Sequence, residues 1–150
     1  MLLFVACLYA CDDDNVFDTE EQLRNDVALI EDYLAENNIT AFSFENGLHI
    51  AVETQGSGNN AAFGNTVVCQ YRGYLLNGTE FDSSEGRGAL DFVIGRGDVI
   101  QGWDLAFREI SKGTRATIFI PSGLGYGNRR QTNIPPNSVL IFDVTLLDIR

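Results

Sequence analysis

Positive charge is what this chain has least of. Ten Lys and Arg stand against 21 Asp and Glu, for a net charge of −11. A protein that tracks phosphates needs a cationic surface to displace counterions, so no nucleic-acid partner is expected. Histidine is nearly absent: His49 is the only one, and it sits in a strand-like pattern. A histidine-based metal centre or catalytic triad is therefore hard to assemble. There is no Gly-rich phosphate loop ending in Lys-Ser or Lys-Thr, no Cys-x-x-Cys pair and no Gly-x-Ser-x-Gly elbow. Gly123-Leu124-Gly125-Tyr126-Gly127 carries glycines at the wrong spacing for a dinucleotide. No metal and no cofactor are expected. Leu2–Ala10, an unbroken apolar run, has nine residues, and a bilayer-spanning helix needs about twenty. What remains is the composition of one globular domain, 45% hydrophobic and 11% aromatic in 150 residues with 15 glycines.

The acidity is lopsided. Residues 1–40 hold ten acids and a single base, Arg24, whereas residues 41–150 hold eleven acids and nine bases. An acidic arm thus precedes a nearly neutral body. Within the arm, Thr19 and Gln22 have the spacing of a helix capping box. Leu23, Val27, Ile30 and Leu34 then form one apolar stripe that ends near Asn37-Asn38. A lone amphipathic helix of this length is barely stable, so the stripe must be covered. Either it packs on the body, leaving a monomer, or it pairs with another copy in a helix-mediated dimer.

In the body the period changes to alternation. Leu48, Ile50 and Val52 read as one strand, Thr66 to Leu76 as a second, and Leu90, Phe92 and Ile94 as a third. Asn77-Gly78 is a strong hairpin signal after the second. Gly95-Arg96-Gly97-Asp98 reads as a tight turn. Trp103, Ala106, Phe107 and Ile110 fall on one helical face, with Asp104 in the first turn, Lys112 in the last and Gly113 as the stop. Arg115 to Ile120 and Ser138 to Ile149 supply the closing strands. The expected fold class is α+β: a mostly antiparallel sheet wrapped around one short helix and preceded by the amphipathic one.

Six stretches of the body then carry a resemblance. They are Gln70-Tyr71-Arg72-Gly73, Gly78-Thr79-Glu80-Phe81-Asp82-Ser83-Ser84, Val99-Ile100-Gln101-Gly102-Trp103, Pro121 to Gly127, Ile134-Pro135-Pro136-Asn137 and Leu140-Ile141-Phe142-Asp143-Val144. In this order and at this spacing, residues 45–150 resemble the FKBP-type peptidyl-prolyl cis-trans isomerases. The resemblance implies a shallow apolar pocket between sheet and short helix. Trp103 would be its floor, and Tyr71, Phe81, Val99, Ile100 and Phe142 its walls. Asp82 and Tyr126 would be polar groups at its edge, Ile134 would sit on an overhanging loop, and Arg87 would hold Asp82. Leu90 stands where the family often has a phenylalanine, Asp98 replaces a common glutamate, and Arg129 and Arg130 make the loop Asn128 to Asn133 unusually cationic. Tyr71, Asp82, Ile100 and Tyr126 are the expected catalytic groups. Phe81, Arg87, Leu90, Val99, Trp103, Ile134 and Phe142 are the expected substrate-binding ones. Substrates would be proline-containing polypeptides, and macrolides would be inhibitors. A non-catalytic proline-peptide-binding module or tethered chaperone is the alternative, although the six residues between Gly127 and Ile134 leave no room for an inserted chaperone flap.

The amino terminus carries a second resemblance. Leu8-Tyr9-Ala10-Cys11, closing the apolar run and followed by Asp12-Asp13-Asp14, is similar to the lipobox of bacterial lipoproteins, although no Lys or Arg precedes the run. It implies lipidation of Cys11, membrane attachment through a lipid anchor only, and a place in the bacterial cell envelope, on the periplasmic face of the outer membrane or at the cell surface. Processing would remove Cys7, leaving Cys69 without an intramolecular partner. The organisation expected is a signal and lipobox over residues 1–11, an acidic linker and helix over 12–40, and an isomerase domain over 41–150.

Overall fold

The computed structural model describes residues 19–150, so Cys7, Cys11 and the acids at 12–14 and 18 lie outside the described residues. Helix α1 spans Thr19–Glu36. Its first turn carries Glu20 and Glu21, which complement the dipole. It ends where the Asn37 N–H bonds back to the Tyr33 carbonyl and Asn38 takes a left-handed φ of 54°.

Seven strands follow in one sheet: β1 Phe42–Ser43, β2 His49–Thr54, β3 Thr66–Leu75, β4 Glu80–Ser83, β5 Leu90–Val93, β6 Arg115–Ile120 and β7 Leu140–Ile149. Their order is β1-β2-β6-β7-β3-β4, with β5 also paired to β3. Every pairing is antiparallel. The Asn77-Gly78 hairpin forms as expected, with Gly78 at φ 85° and the Asn77 side chain accepting from the Thr79 N–H at 3.0 Å. The Gly95-Asp98 segment is a tight turn, with the Gly95 N–H pinned to Asp104 at 2.9 Å.

Because side chains alternate across a strand, the sheet has two differently covered faces. The inner face carries Ile50, Ile118, Ile120, Leu140, Phe142 and Leu146, packed against Trp103, Phe107 and Ile110. The outer face carries Ala51, Phe119 and Ile141, covered by Ile30 and Leu34 of α1. Tyr33 lies against Phe119 with ring centroids 5.8 Å apart. The arm's apolar stripe is thus used within the chain. No helix among the described residues is long and apolar enough to cross a membrane.

The short helix ends earlier than its stripe implies. Helix α2 spans Gln101–Ala106 and tightens into a 3₁₀ turn at Phe107–Glu109, after which Ile110 is extended. The Ile110 carbonyl accepts from the Ala61 N–H, and Ser111 bridges to Asn60. These tertiary bonds take the backbone that a further helical turn would have needed, so Lys112 lies beyond the helix. It pairs instead with Asp148 at 2.7 Å.

Candidate active site

Between the inner face and α2 lies a hollow of about 320 Å³. Its walls draw on four strands, on α2 and on two connections. Tyr71 comes from β3, Phe81 and Asp82 from β4, Leu90 from β5 and Phe142 from β7, while Val99 and Ile100 lead into Trp103 of α2. Tyr126 and Ile134 come from the long β6–β7 connection. Ten of the eleven residues expected at the site therefore line one cavity, although their positions span 72 residues of chain from Tyr71 to Phe142. Arg87 is the exception. Its side chain is 62% exposed, and it reaches the cavity wall through its ion pair with Asp82 and a 3.4 Å bond to the Tyr71 hydroxyl.

Trp103 is 3% exposed and is boxed by rings. Tyr71 and Phe142 meet it edge-on at 5.1 and 5.2 Å, and Phe92 and Phe107 tilt against it at 5.6 and 5.2 Å. Edge-to-face contacts of this kind fix ring orientation as well as burying area. Phe81 stands edge-on to Phe142 at 5.5 Å. The indole Nε1 of Trp103 is buried without a protein hydrogen-bond partner.

One polar knot lies at the rim. The Tyr71 hydroxyl donates to Asp82 Oδ2 at 2.7 Å, and the Ser83 N–H donates to Oδ1 at 2.9 Å. Arg87 pairs with the same Oδ1 and also donates to the Ser83 carbonyl. Burial pushes the Asp82 carboxyl up, but the bonds from Tyr71, Arg87 and Ser83 outweigh it and hold the group below its ordinary value. Burial, with the adjacent Asp82 carboxylate, pushes the Tyr71 hydroxyl up to about 12. Tyr126 is raised as well, by burial first and then by the Asp82 charge. At neutral pH the cavity lining therefore carries two ionised carboxylates, Asp82 in its knot and Asp98 paired with Arg96, and two neutral phenols.

Two donors face the opposite situation. No hydrogen bond among the described residues engages the Ile100 N–H, and the Tyr126 hydroxyl likewise has none. Ile100 is extended at φ −60° and ψ 149°, immediately ahead of α2. The cavity is thus apolar at its floor and carries uncommitted donors near its mouth.

Sequence reasoning missed Gln131 and Thr132, which also line the hollow, and noted Asp98, a third lining residue, without placing it in the site. Arg129 and Arg130 made their loop notable, yet neither lies on the cavity wall. Their position beside Ile134 was the available signal. A larger hollow of about 580 Å³ lies toward the opposite face of the sheet, around Gln70, Arg72, Glu85, Arg115 and Asp143. Its cations are matched by exposed acids, as in Arg72–Glu85 at 3.1 Å, and exposed pairs of that kind are weakly held. Cys69 is buried, and burial pushes its thiol up to about 12, far from a reactive thiolate.

Comparison with known proteins bears on this geometry. The sequence profile described as FKBP-type peptidyl-prolyl cis-trans isomerase matches residues 57–147. The FKBP-type peptidyl-prolyl cis-trans isomerase FkpA of Buchnera aphidicola is 43% identical over 105 residues, covering 69% of this chain and 41% of that protein. FK506-binding protein 1 of Gibberella zeae is 42% identical over 109 residues, covering 69% of this chain and 98% of the relative. The crystal structure of FkpA from Escherichia coli superposes with a TM-score of 0.73 at 34% identity, covering 87% of this chain and 62% of that one. Several curated relatives are much longer, and the chain spans 22% of FK506-binding protein 4 of Emericella nidulans and of Neurospora crassa. The matched segment contains the whole set of cavity residues, from Tyr71 through Trp103 and Tyr126 to Phe142. This chain belongs to the FKBP-type peptidyl-prolyl cis-trans isomerase family.

Proposed function

We propose that this protein accelerates rotation about X-Pro bonds in polypeptides of the bacterial cell envelope, binding the prolyl ring non-covalently on Trp103. The observation that carries this reading is an open aromatic hollow with two donors, the Ile100 N–H and the Tyr126 hydroxyl, left without protein partners.

The X-Pro bond turns past a barrier of about 18–20 kcal/mol because amide resonance must be broken. In the twisted state the nitrogen lone pair no longer feeds the carbonyl, so the amide is less dipolar than in either planar form. Transfer from water into an apolar cavity costs the twisted state less than the planar ones, which is differential stabilisation. A substrate carbonyl held by the Ile100 N–H or the Tyr126 hydroxyl stays fixed while the ring rests on the indole. Uncatalysed isomerisation takes tens of seconds, so a millisecond event requires about four decades, or about 5.5 kcal/mol. Desolvation plus one or two oriented hydrogen bonds is of that size. Macrolide inhibition belongs to the same reading, because a macrolide would occupy the same hollow.

A protease-coupled prolyl-peptide assay tests the activity, and a rate equal to background sinks it. In that assay Asp82→Leu is expected to lower kcat/KM about tenfold, or about 1.4 kcal/mol. Its stability should fall by less than about 1 kcal/mol, since the carboxylate is half exposed. The wild-type rate should be flat from about pH 8 down to about pH 5, because no group lining the cavity titrates in that range. Asp82 is depressed in the folded state. Its contribution is therefore present above the unfolded value of about 3.9 and lost only as pH falls through the lower folded value. A limb between pH 5 and 7, or an Asp82→Leu variant with the wild-type rate, contradicts this placement.

The cell-envelope context rests on the Leu8-Tyr9-Ala10-Cys11 pattern. Mass spectrometry of the protein from native membranes is expected to find Cys11 acylated and amino-terminal. An intact, unmodified Met1–Cys11 segment would remove the anchor from the proposal.

A further inference from the structure

The arm helix contains a charge where its apolar stripe should be unbroken. Asp26 lies among Leu23, Val27 and Ile30, and it is 0% exposed. A buried carboxylate is costly unless donors surround it, and here three do. Gln22 Nε2 donates to Oδ1 at 2.8 Å. The Ser122 N–H and Oγ donate to Oδ2 at 2.7 and 2.6 Å across a sequence separation of 96 residues. Ile30 and Leu34 already cover the sheet, so docking the helix does not by itself require a charge at this point.

What Ser122 does next gives the charge a role. Ser122 opens the 3₁₀ turn Ser122–Leu124, and its carbonyl accepts from the Gly125 N–H at 3.0 Å and the Gly127 N–H at 2.8 Å. These two amides flank Tyr126. The Gly127 carbonyl in turn accepts from the Asn137 N–H at 2.7 Å, closing the loop onto the turn that precedes β7. The Tyr126 hydroxyl has no side-chain partner of its own, so only the backbone of this segment and the packing of the ring decide where it points. Ser122 is the node of that backbone, and Asp26 holds Ser122 through two of its donors.

We infer that Asp26 is a positioning residue for Tyr126: through Ser122 it fixes the loop that aims the phenol at the substrate, making α1 part of the isomerase site. This rests on the isomerase reading above. The full chain would be compared as wild type, Asp26→Ala, Tyr126→Phe and the double variant, measuring kcat and KM together with the thermal midpoint. Tyr126→Phe is expected to lower kcat/KM about fivefold and Asp26→Ala by about the same factor. The double variant should fall no more than about twofold below Tyr126→Phe, because the effects share one hydroxyl. The drop in midpoint caused by Asp26→Ala should be equal in both backgrounds, which separates positioning from stability. Asp26→Asn can still accept from Ser122 once the Gln22 amide turns over, and should recover most of the rate.

Effects on kcat/KM that multiply in the double variant overturn the inference, as does a folded Asp26→Ala protein with the wild-type rate or a Tyr126→Phe protein with no defect. If Asp26→Ala does not fold, Ser122→Ala deletes only the Oγ donor and must show the same coupling to Tyr126→Phe, or the inference fails. A wild-type chain with no rate above background removes the isomerase reading before any variant is compared.

Discussion

Trp103→Ala is expected to abolish measurable isomerisation and to lower stability by about 3–5 kcal/mol, the range for truncating a buried large aromatic. Both losses have one origin. The indole is the cavity floor on one side, and on the other it is the hub to which Tyr71, Phe92, Phe107 and Phe142 all pack. Removing it leaves four rings without a common partner, and they will collapse partly into the hollow. Chemical denaturation and kcat/KM check the two halves independently. Trp103→Phe separates them: it keeps a ring at the floor and removes the buried, unpartnered Nε1. That atom's desolvation costs about 1–3 kcal/mol, which offsets part of the lost area. Trp103→Phe should therefore be nearly as stable as the wild type and retain weak activity. A Trp103→Ala variant that stays stable and active would show that the indole is not the floor.

The placement of Trp103 also shows what the sequence could reveal. Its helical spacing with Ala106, Phe107 and Ile110 marked a buried face, but periodicity alone reads such a face as packing. Only the combination of six short motifs in order pointed to a hollow above it. The long strands β3 and β7 were legible because each alternates over ten residues, enough for the period to stand out. Strands β1 and β4, of two and four residues, hold too few apolar positions to show any period. They form because their neighbours offer unpaired edges. The early end of α2 was illegible for a related reason, since hydrogen bonds to Asn60 and Ala61, some fifty residues away, decide it.

Asp26 is the instructive miss. In composition it is one acid among the ten of the arm, and an acid on a helix usually faces water. Its spacing held the signal: Leu23, Asp26, Val27 and Ile30 fall at i, i+3, i+4 and i+7, so the charge is inside the stripe rather than beside it. A charge at that position must either break the packing or find buried donors. Nothing local names Ser122 as the donor, because that pairing depends on how α1 crosses the sheet.

Gly73→Val should separate pocket from fold in the opposite sense to Trp103→Ala. Gly73 sits in β3 opposite Asp82 on one side and Phe142 on the other. A Cβ there would come within 2.7 Å of Phe142 Cε1 and 2.8 Å of Phe81 Cε2 and Cζ. Its φ is not left-handed, so the backbone accepts a side chain, and the nearest obstacles are the two wall rings. Glycine at this position is what lets Phe81 and Phe142 meet edge-on across the strand. In a strand interior, replacing glycine recovers roughly 0.5–1 kcal/mol of backbone entropy, and a β-branched residue suits the pleat. Overpacking against the rings costs about 1–3 kcal/mol. The net loss of stability is therefore expected to stay below about 2.5 kcal/mol, whereas kcat/KM should fall about a hundredfold, or about 2.7 kcal/mol in the barrier, as the rings swing into the hollow. Gly73→Ala, with one methyl in place of three carbons, should fall between the variant and the wild type in rate. Steady-state kinetics with denaturation curves on the same samples check the separation. A Gly73→Val protein with the wild-type rate would mean that neither ring walls the substrate.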